Sequence, residues 1–393
     1  MKKSIKRMFS LEFGKNIRQI VMMFVLVGIC LCFSVLSKGM FTTPRNLSNI
    51  TLQAAATAVA AIGVVLVLVC GHIDLSIGSF VALTGAIGAQ LMTFQKWDTF
   101  PAIMVILCCG LLFGAWQGYW VAYQGIPSFI VTLAGMQIFR GLALVLTGGL
   151  TISPMTDAFK FIGQGYLPGI FFKDRGLNDT AWLVGGIICI IIIIREIYDV
   201  RTRKQYQLEV PTRNFMIFKI ICICAVVMGG FSILGRHMGV PIAVVLVGIF
   251  AVIFNFISFN TAFGRHVYAI GGNKEAAALS GINIKQTTFI VFVIMGLLCS
   301  VSGIIFTARI NAATVAAGQN LEMEAIAAAI VGGTSTMGGE GSVFGAIIGA
   351  LIMVSINNGM SIMNLPPEVQ YIAKGLVLLF AVWLDVATRR EKK

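Results

Sequence analysis

The chain is predicted to be all-α, a polytopic membrane helix bundle of about 12 spans with both termini cytoplasmic. Three observations predict it. Of 393 residues, 58% are hydrophobic and 11% charged, with mean hydropathy +0.91, whereas a soluble domain carries about 25% charged residues. Apolar runs near the ~20 residues that cross a bilayer recur from end to end. The basic residues sit in the polar connections between those runs, where they set orientation.

In order, the runs lie near 18–37, 51–71, 75–94, 101–122, 127–148, 180–195, 215–234, 240–258, 288–308, 323–334, 342–362 and 369–387. The first follows a basic stretch that imitates a signal peptide. No small-residue cleavage site comes after its end at Leu36-Ser37-Lys38, so it reads as an uncleaved span with its basic end inside. Gly, Ser and Asp interrupt or shorten the third and tenth runs, which fit re-entrant or broken helices equally well.

With the N-terminus inside, four pieces face the cytoplasm: 1–17, 195–214, 262–287 and the tail from Thr388. They carry Lys2, Lys3, Lys6, Arg7 and Lys15; Arg195, Arg201, Arg203, Lys204 and Arg213; Arg265, Lys274 and Lys285; and Arg389, Arg390, Lys392 and Lys393. The outer loops are nearly balanced, as Lys173 and Arg175 are against Asp174 and Asp179. This is the positive-inside distribution. It accounts for the net charge of +13 without a nucleic-acid partner, because the basic residues are not interleaved with aromatics on a soluble face. Residues 172–236 read as an inserted helix hairpin with a basic cytoplasmic loop on a ten-span core. The nine cysteines all fall in apolar runs, where they act as small hydrophobes.

Polar residues within apolar surroundings carry the next layer of information. Asp74 in GHIDLSIGS either caps the helix that follows or lines a polar cavity. Arg140 lies deep in the fifth run and needs an internal partner, while Lys374 is near enough to an end to snorkel. Glycines four apart at Gly110, Gly114 and Gly118, and at Gly341, Gly345 and Gly349, suit close helix packing within one subunit. The glycine-rich stretch 331–341 lacks the Gly-Lys-Ser/Thr end of a phosphate loop, so it reads as an irregular re-entry or a tight hairpin. No catalytic triad or metal-spaced His/Cys set is visible, and the three histidines (His72, His237 and His266) are scattered.

One long polar segment, 262–287, interrupts this pattern. Its centre, Gly272-Asn273-Lys274-Glu275-Ala276-Ala277-Ala278-Leu279-Ser280-Gly281, reads as a short amphipathic helix between glycines. It is too short to span, but it can lie at the membrane face and enter a partner's groove. It resembles the coupling helix of bacterial ATP-driven importers. The stretches 71–79, 126–141, 261–282, 324–352 and 357–363 together resemble the permease family for ribose, xylose and related sugars in those ABC systems. Length and the extra hairpin place the resemblance nearest its xylose and multiple-monosaccharide branch.

The resemblance implies a multi-pass permease of the bacterial inner membrane, a homodimer in lipid that forms one translocation path. A sugar-binding protein docks outside and a separate ATPase, the user of ATP and magnesium, docks inside; the permease itself is no enzyme and binds no cofactor. It also implies that Gly272, Asn273, Glu275, Ala276, Ala277 and Gly281 meet the ATPase, with Arg265 and Lys285 nearby. No motif marks the route of the substrate; polarity alone selects Asp74, Asn357 and Asn358. The rival reading is an ion-coupled secondary sugar transporter, which needs mid-span acids to bind its ion.

Overall fold

The computed structural model describes residues 22–170, 178–207, 210 and 212–390. The expected basic stretch 1–17, the loop charges Lys173, Asp174 and Arg175, and the tail residues Lys392 and Lys393 lie outside them. Among the described residues every regular element is a helix, apart from the isolated bridges Ile152–Ala313 and Tyr166–Pro241. The helices are α1 Met22–Leu36, α2 Pro44–Val69, α3 Ile77–Ala89 (extended by a π-helical turn, Gln90–Phe94), α4 Thr99–Ala122 and α5 Ser128–Thr147. Then come α6 Asp157–Gln164, α7 Asp179–Gln205, α8 Arg213–Gly235, α9 Ile242–Asn260, α10 Ala262–Gly272 and α11 Lys274–Leu279. The last four are α12 Ile284–Ile310, α13 Leu321–Val331, α14 Val343–Ile362 and α15 Pro367–Arg390. Nine of the described helices are long and apolar enough to cross a bilayer. This is a membrane helix bundle.

The chain divides into two compact units. In the one that contains residues 166–241, α7 and α8 form a hairpin. Gly185 of α7 lets the Phe231 side chain of α8 come close, and Lys219 pairs with Glu196 at 2.8 Å. Asn178 caps α7 by accepting from Ala181 N, while its amide donates to Leu167 O and Met238 O.

The other unit holds the remaining helices, including α2 from Ile50 onward, whose inner part is almost wholly buried. Lipid gives helices no hydrophobic reason to associate, so close packing and interhelical hydrogen bonds must hold them. Both appear along α12. Ser300 Oγ donates to Ile106 O of α4 at 3.1 Å, and Ser302 Oγ to Ala56 O of α2 at 2.8 Å. The glycines of α4 face the same helix: a methyl at Gly110 would meet Ser300 Oγ at 2.0 Å, and one at Gly114 would meet Phe292 O at 2.5 Å. The second glycine series packs α14 on α13, since a methyl at Gly349 would lie 2.0 Å from Ala328 O. Both series therefore serve packing inside the subunit. Phe80, Phe113 and Phe139, with ring centroids 5.0–5.6 Å apart, join α3, α4 and α5.

The third run is helical over Ile77–Phe94 after a non-helical start, whereas the tenth is a short helix. After α2 the chain runs without helix through 72–76 along the first turns of α5: Ile73 N donates to Ser128 Oγ, and Thr132 Oγ1 to Ile73 O. A methyl at Gly135 would touch Ser76 Cβ, so α3 starts only about 10 Å along α5 at 1.5 Å per residue. The expected span at 323–334 is a correction. Its helix, α13, has 11 residues, about 16 Å, which is too short to cross a bilayer.

The chain reaches α13 from the opposite end of α5. Ala313 pairs with Ile152 beyond that end, and the non-helical stretch then returns to Arg140, which donates to Val315 O and to Ala317 O. The two breaks meet where Gly318 lies against Gly78, so closely that a methyl on Gly78 would sit 2.1 Å from Gly318 O. Non-helical stretches of this kind are tolerated at membrane depth only where protein or a polar cavity satisfies the freed backbone. Arg140 supplies part of that here; it has the internal partner its depth requires.

Candidate coupling surface and translocation route

The polar segment after α9 folds as two short helices and a turn, each with its own stop and start. Thr261 caps α10 by accepting from Gly264 N at 3.1 Å. Asn273 ends α10 in an extended conformation and caps α11, its side chain accepting from Ala276 N at 2.9 Å. Glu275 falls in the first turn of α11, where the helix dipole favours an acid. Gly281, at φ +80°, takes the left-handed conformation that closes α11, and Asn283 then caps α12 by accepting from Gln286 N. The six-residue α11 thus lies between two turns built into the sequence.

Of the residues singled out here, Arg265, Gly272, Asn273, Glu275, Ala276, Gly281 and Lys285 are exposed. Ala277 is 4% exposed and faces its own chain, so it corrects the expectation that it enters a partner's groove. The surface of α11 is made instead by Glu275, Ala276, Ala278 and above all Leu279, which is 90% exposed. Sequence reasoning passed over Leu279; a leucine in an otherwise polar segment was the available signal.

Behind this surface the segment is tied to the membrane core. Gly339, in the turn after α13, donates its N–H to Val69 O at the end of α2 (2.9 Å), and Gly271 packs against both. Tyr268 Oη donates to Gly341 O at 2.9 Å. The glycine-rich stretch is therefore a tight turn between α13 and α14, with left-handed Gly333, Gly338 and Gly339. His72 lies beside Phe292, with 5.8 Å between ring centroids. Burial, and behind it the charge of Lys274, push His72 down to about 4. It is neutral at physiological pH.

The candidate route residues have different surroundings. Asp74 is 3% exposed, and its Oδ1 accepts from Ser76 N (2.8 Å) and Ser76 Oγ (2.7 Å); Gln117 in turn donates to Ser76 Oγ. The N-cap position of α3 is Ser76, so Asp74 makes a turn before the helix and does not cap it. Asn358 is buried within the subunit. Asn357 is half-buried and donates to Glu324 Oε1 at 2.9 Å. Lys374 also donates to that oxygen, at 2.8 Å, so it pairs inside and does not snorkel. Glu324 was missed, although an acid inside an apolar run is visible in sequence.

Residues 46–382 match the family described as branched-chain amino acid transport system / permease component. The chain belongs to this permease family. Its relatives include the xylose transport system permease protein XylH of Haemophilus influenzae, 42% identical over 98% of this chain and 100% of that protein. XylH of Escherichia coli K12 is 41% identical over 96% of this chain and 93% of its own length. The ribose import permease protein RbsC of the same strain is 33% identical over 97% and 96%. No solved structure matches the chain. In this permease, α10, α11, the ends of α2 and α13, and the Glu324–Lys374 pair all fall inside the family match.

Proposed function

We propose that this permease is the membrane subunit of an ATP-driven bacterial importer that carries a monosaccharide, xylose or a related sugar, across the inner membrane. A binding protein delivers the sugar and a separate ATPase uses ATP and magnesium, so this chain binds no cofactor and catalyses no reaction. Two copies form the path in lipid, each a multi-pass helix bundle with both termini inside, and residues 172–236 are an inserted hairpin.

The observation that carries the reading is the exposed α11, joined directly to α10, which packs on the end of α2 and on the α13–α14 turn. A nucleotide cycle that moves α11 moves those helix ends with it, which is how a small displacement becomes a change of access between faces. Likeness to the xylose and ribose permeases supports the sugar class. An ion-coupled carrier fits less well. It needs mid-membrane acids free to take an ion, whereas Asp74 is engaged by Ser76, and Glu324 by Lys374 and Asn357.

Glu275→Arg tests the proposal by placing a cation in the first turn of α11, at the proposed ATPase contact. Co-purification with the ATPase and sugar uptake should both fall at least ten-fold. Unchanged assembly and uptake would sink the coupling role.

A further inference from the structure

The Glu324–Lys374–Asn357 cluster lies where charge is expensive. Asn357 is the fifteenth residue of the 20-residue α14, about 21 Å along it, and Lys374 is about 10 Å into α15. Both depths fall within an apolar slab about 30 Å thick. The three side chains come from three different helices and converge on one oxygen, Glu324 Oε1. They are not sealed inside: the lysine and glutamate side chains keep 22% and 18% of their surface. Stability does not explain them, because apolar residues of similar size commonly serve a membrane or protein interior as well as an ion pair does. Charged groups at such depth usually face a bundle interior or a watery path and mark the route of a substrate.

The cluster also has unused hydrogen-bonding capacity. Asn357 Oδ1 is buried without a partner, and the Lys374 ammonium has three donors, one of which is directed at Glu324. A carboxylate, an unfilled amide oxygen and an ammonium side by side offer acceptors and a donor together. Neighbouring hydroxyls of a small polyol present the same mixture, since each can donate and accept.

We infer that Glu324, Lys374 and Asn357 form a polar station on the translocation route, where a sugar's hydroxyl groups exchange hydrogen bonds as the molecule crosses. The inference rests on the reading of this permease as a sugar importer. A weak station suits transport: the ion pair already satisfies much of the site, so sugar is held briefly and released.

The test compares uptake of xylose with that of a mono-deoxy xylose, using the complete transporter in proteoliposomes with each sugar saturating the binding protein. Glu324→Gln, Lys374→Met and Asn357→Leu are measured beside the wild type. The expected result is a wild-type preference for xylose that narrows at least five-fold in Glu324→Gln or Lys374→Met for one of the deoxy positions. A purely structural role would slow both sugars alike and leave the preference unchanged, which overturns the inference. Asn357→Leu keeps it testable if the charge variants fail to assemble: an unchanged preference there also overturns it. Wild-type uptake of xylose is a separate readout, so failure of the importer reading is distinguished from failure of the station.

Discussion

Gly271 and Gly272 are adjacent at the end of α10 but point into different surroundings. A methyl at Gly271 would lie 1.6 Å from Val69 O and 2.6 Å from Gly339 N, whereas one at Gly272 meets nothing within 4 Å. Non-bonded Cβ atoms essentially never come within 3.0 Å of another heavy atom, so the methyl of Gly271→Ala must displace Val69 O by about 1.5 Å and crowd Gly339 N as well. Those two atoms are the partners of one bond, now 2.9 Å, which such a displacement would open beyond hydrogen-bonding range. Leaving that buried donor and acceptor unpaired costs about 2–5 kcal/mol together. Gly272→Ala carries no such penalty. The assay is thermal unfolding of the purified transporter, with sugar uptake and ATP hydrolysis measured in parallel. Gly271→Ala should melt several degrees lower and take up sugar at least ten-fold more slowly per ATP hydrolysed, while Gly272→Ala should melt with the wild type. Equal melting and equal uptake in the two variants would refute the idea that α10 is held to α2 and the glycine turn by close backbone contact.

Two further outcomes follow from the same contacts. Arg140→Met removes the donor to Val315 O and Ala317 O, leaving two carbonyls of the non-helical stretch short of a partner; a loss of about 2–4 kcal/mol is expected in unfolding measurements, with Arg140→Lys intermediate. His72 is held down to about 4 in the fold and returns to about 6.5 when unfolded, so its contribution is present above pH 6.5 and is lost as pH falls toward 4. Acidification across that window should cost up to about 3 kcal/mol, and His72→Asn should flatten the pH dependence of melting by a comparable amount.

Apolar run length located most of the helices because the bilayer imposes it, and the glycines of α4 and α14 declared their packing by spacing alone. The two breaks were legible as anomalies but not as geometry. Interruption by Gly71, Asp74 and Ser76 signals a fault in a helix; it does not say that the fault meets a second one at Gly318, 240 residues away (318 − 78) from Gly78. The caps of the coupling segment, Thr261, Asn273 and Asn283, are local and could be read from residue type. Its anchoring could not, because Gly339 N–Val69 O and Tyr268 Oη–Gly341 O are long-range bonds that involve backbone atoms common to every residue. Ala277 was misplaced for a related reason: on a helix of six residues, one turn decides which alanine faces in, and the sequence of three alanines does not distinguish them.

The central claim is that α11 touches the ATPase, and photo-cross-linking from its tip measures that directly. With benzoylphenylalanine in place of Leu279, irradiation of membranes containing the assembled transporter should yield an adduct with the ATPase subunit, with a yield that changes between nucleotide-free and ATP-bound states. An adduct with the external binding protein, or with lipid alone in every state, would contradict the account.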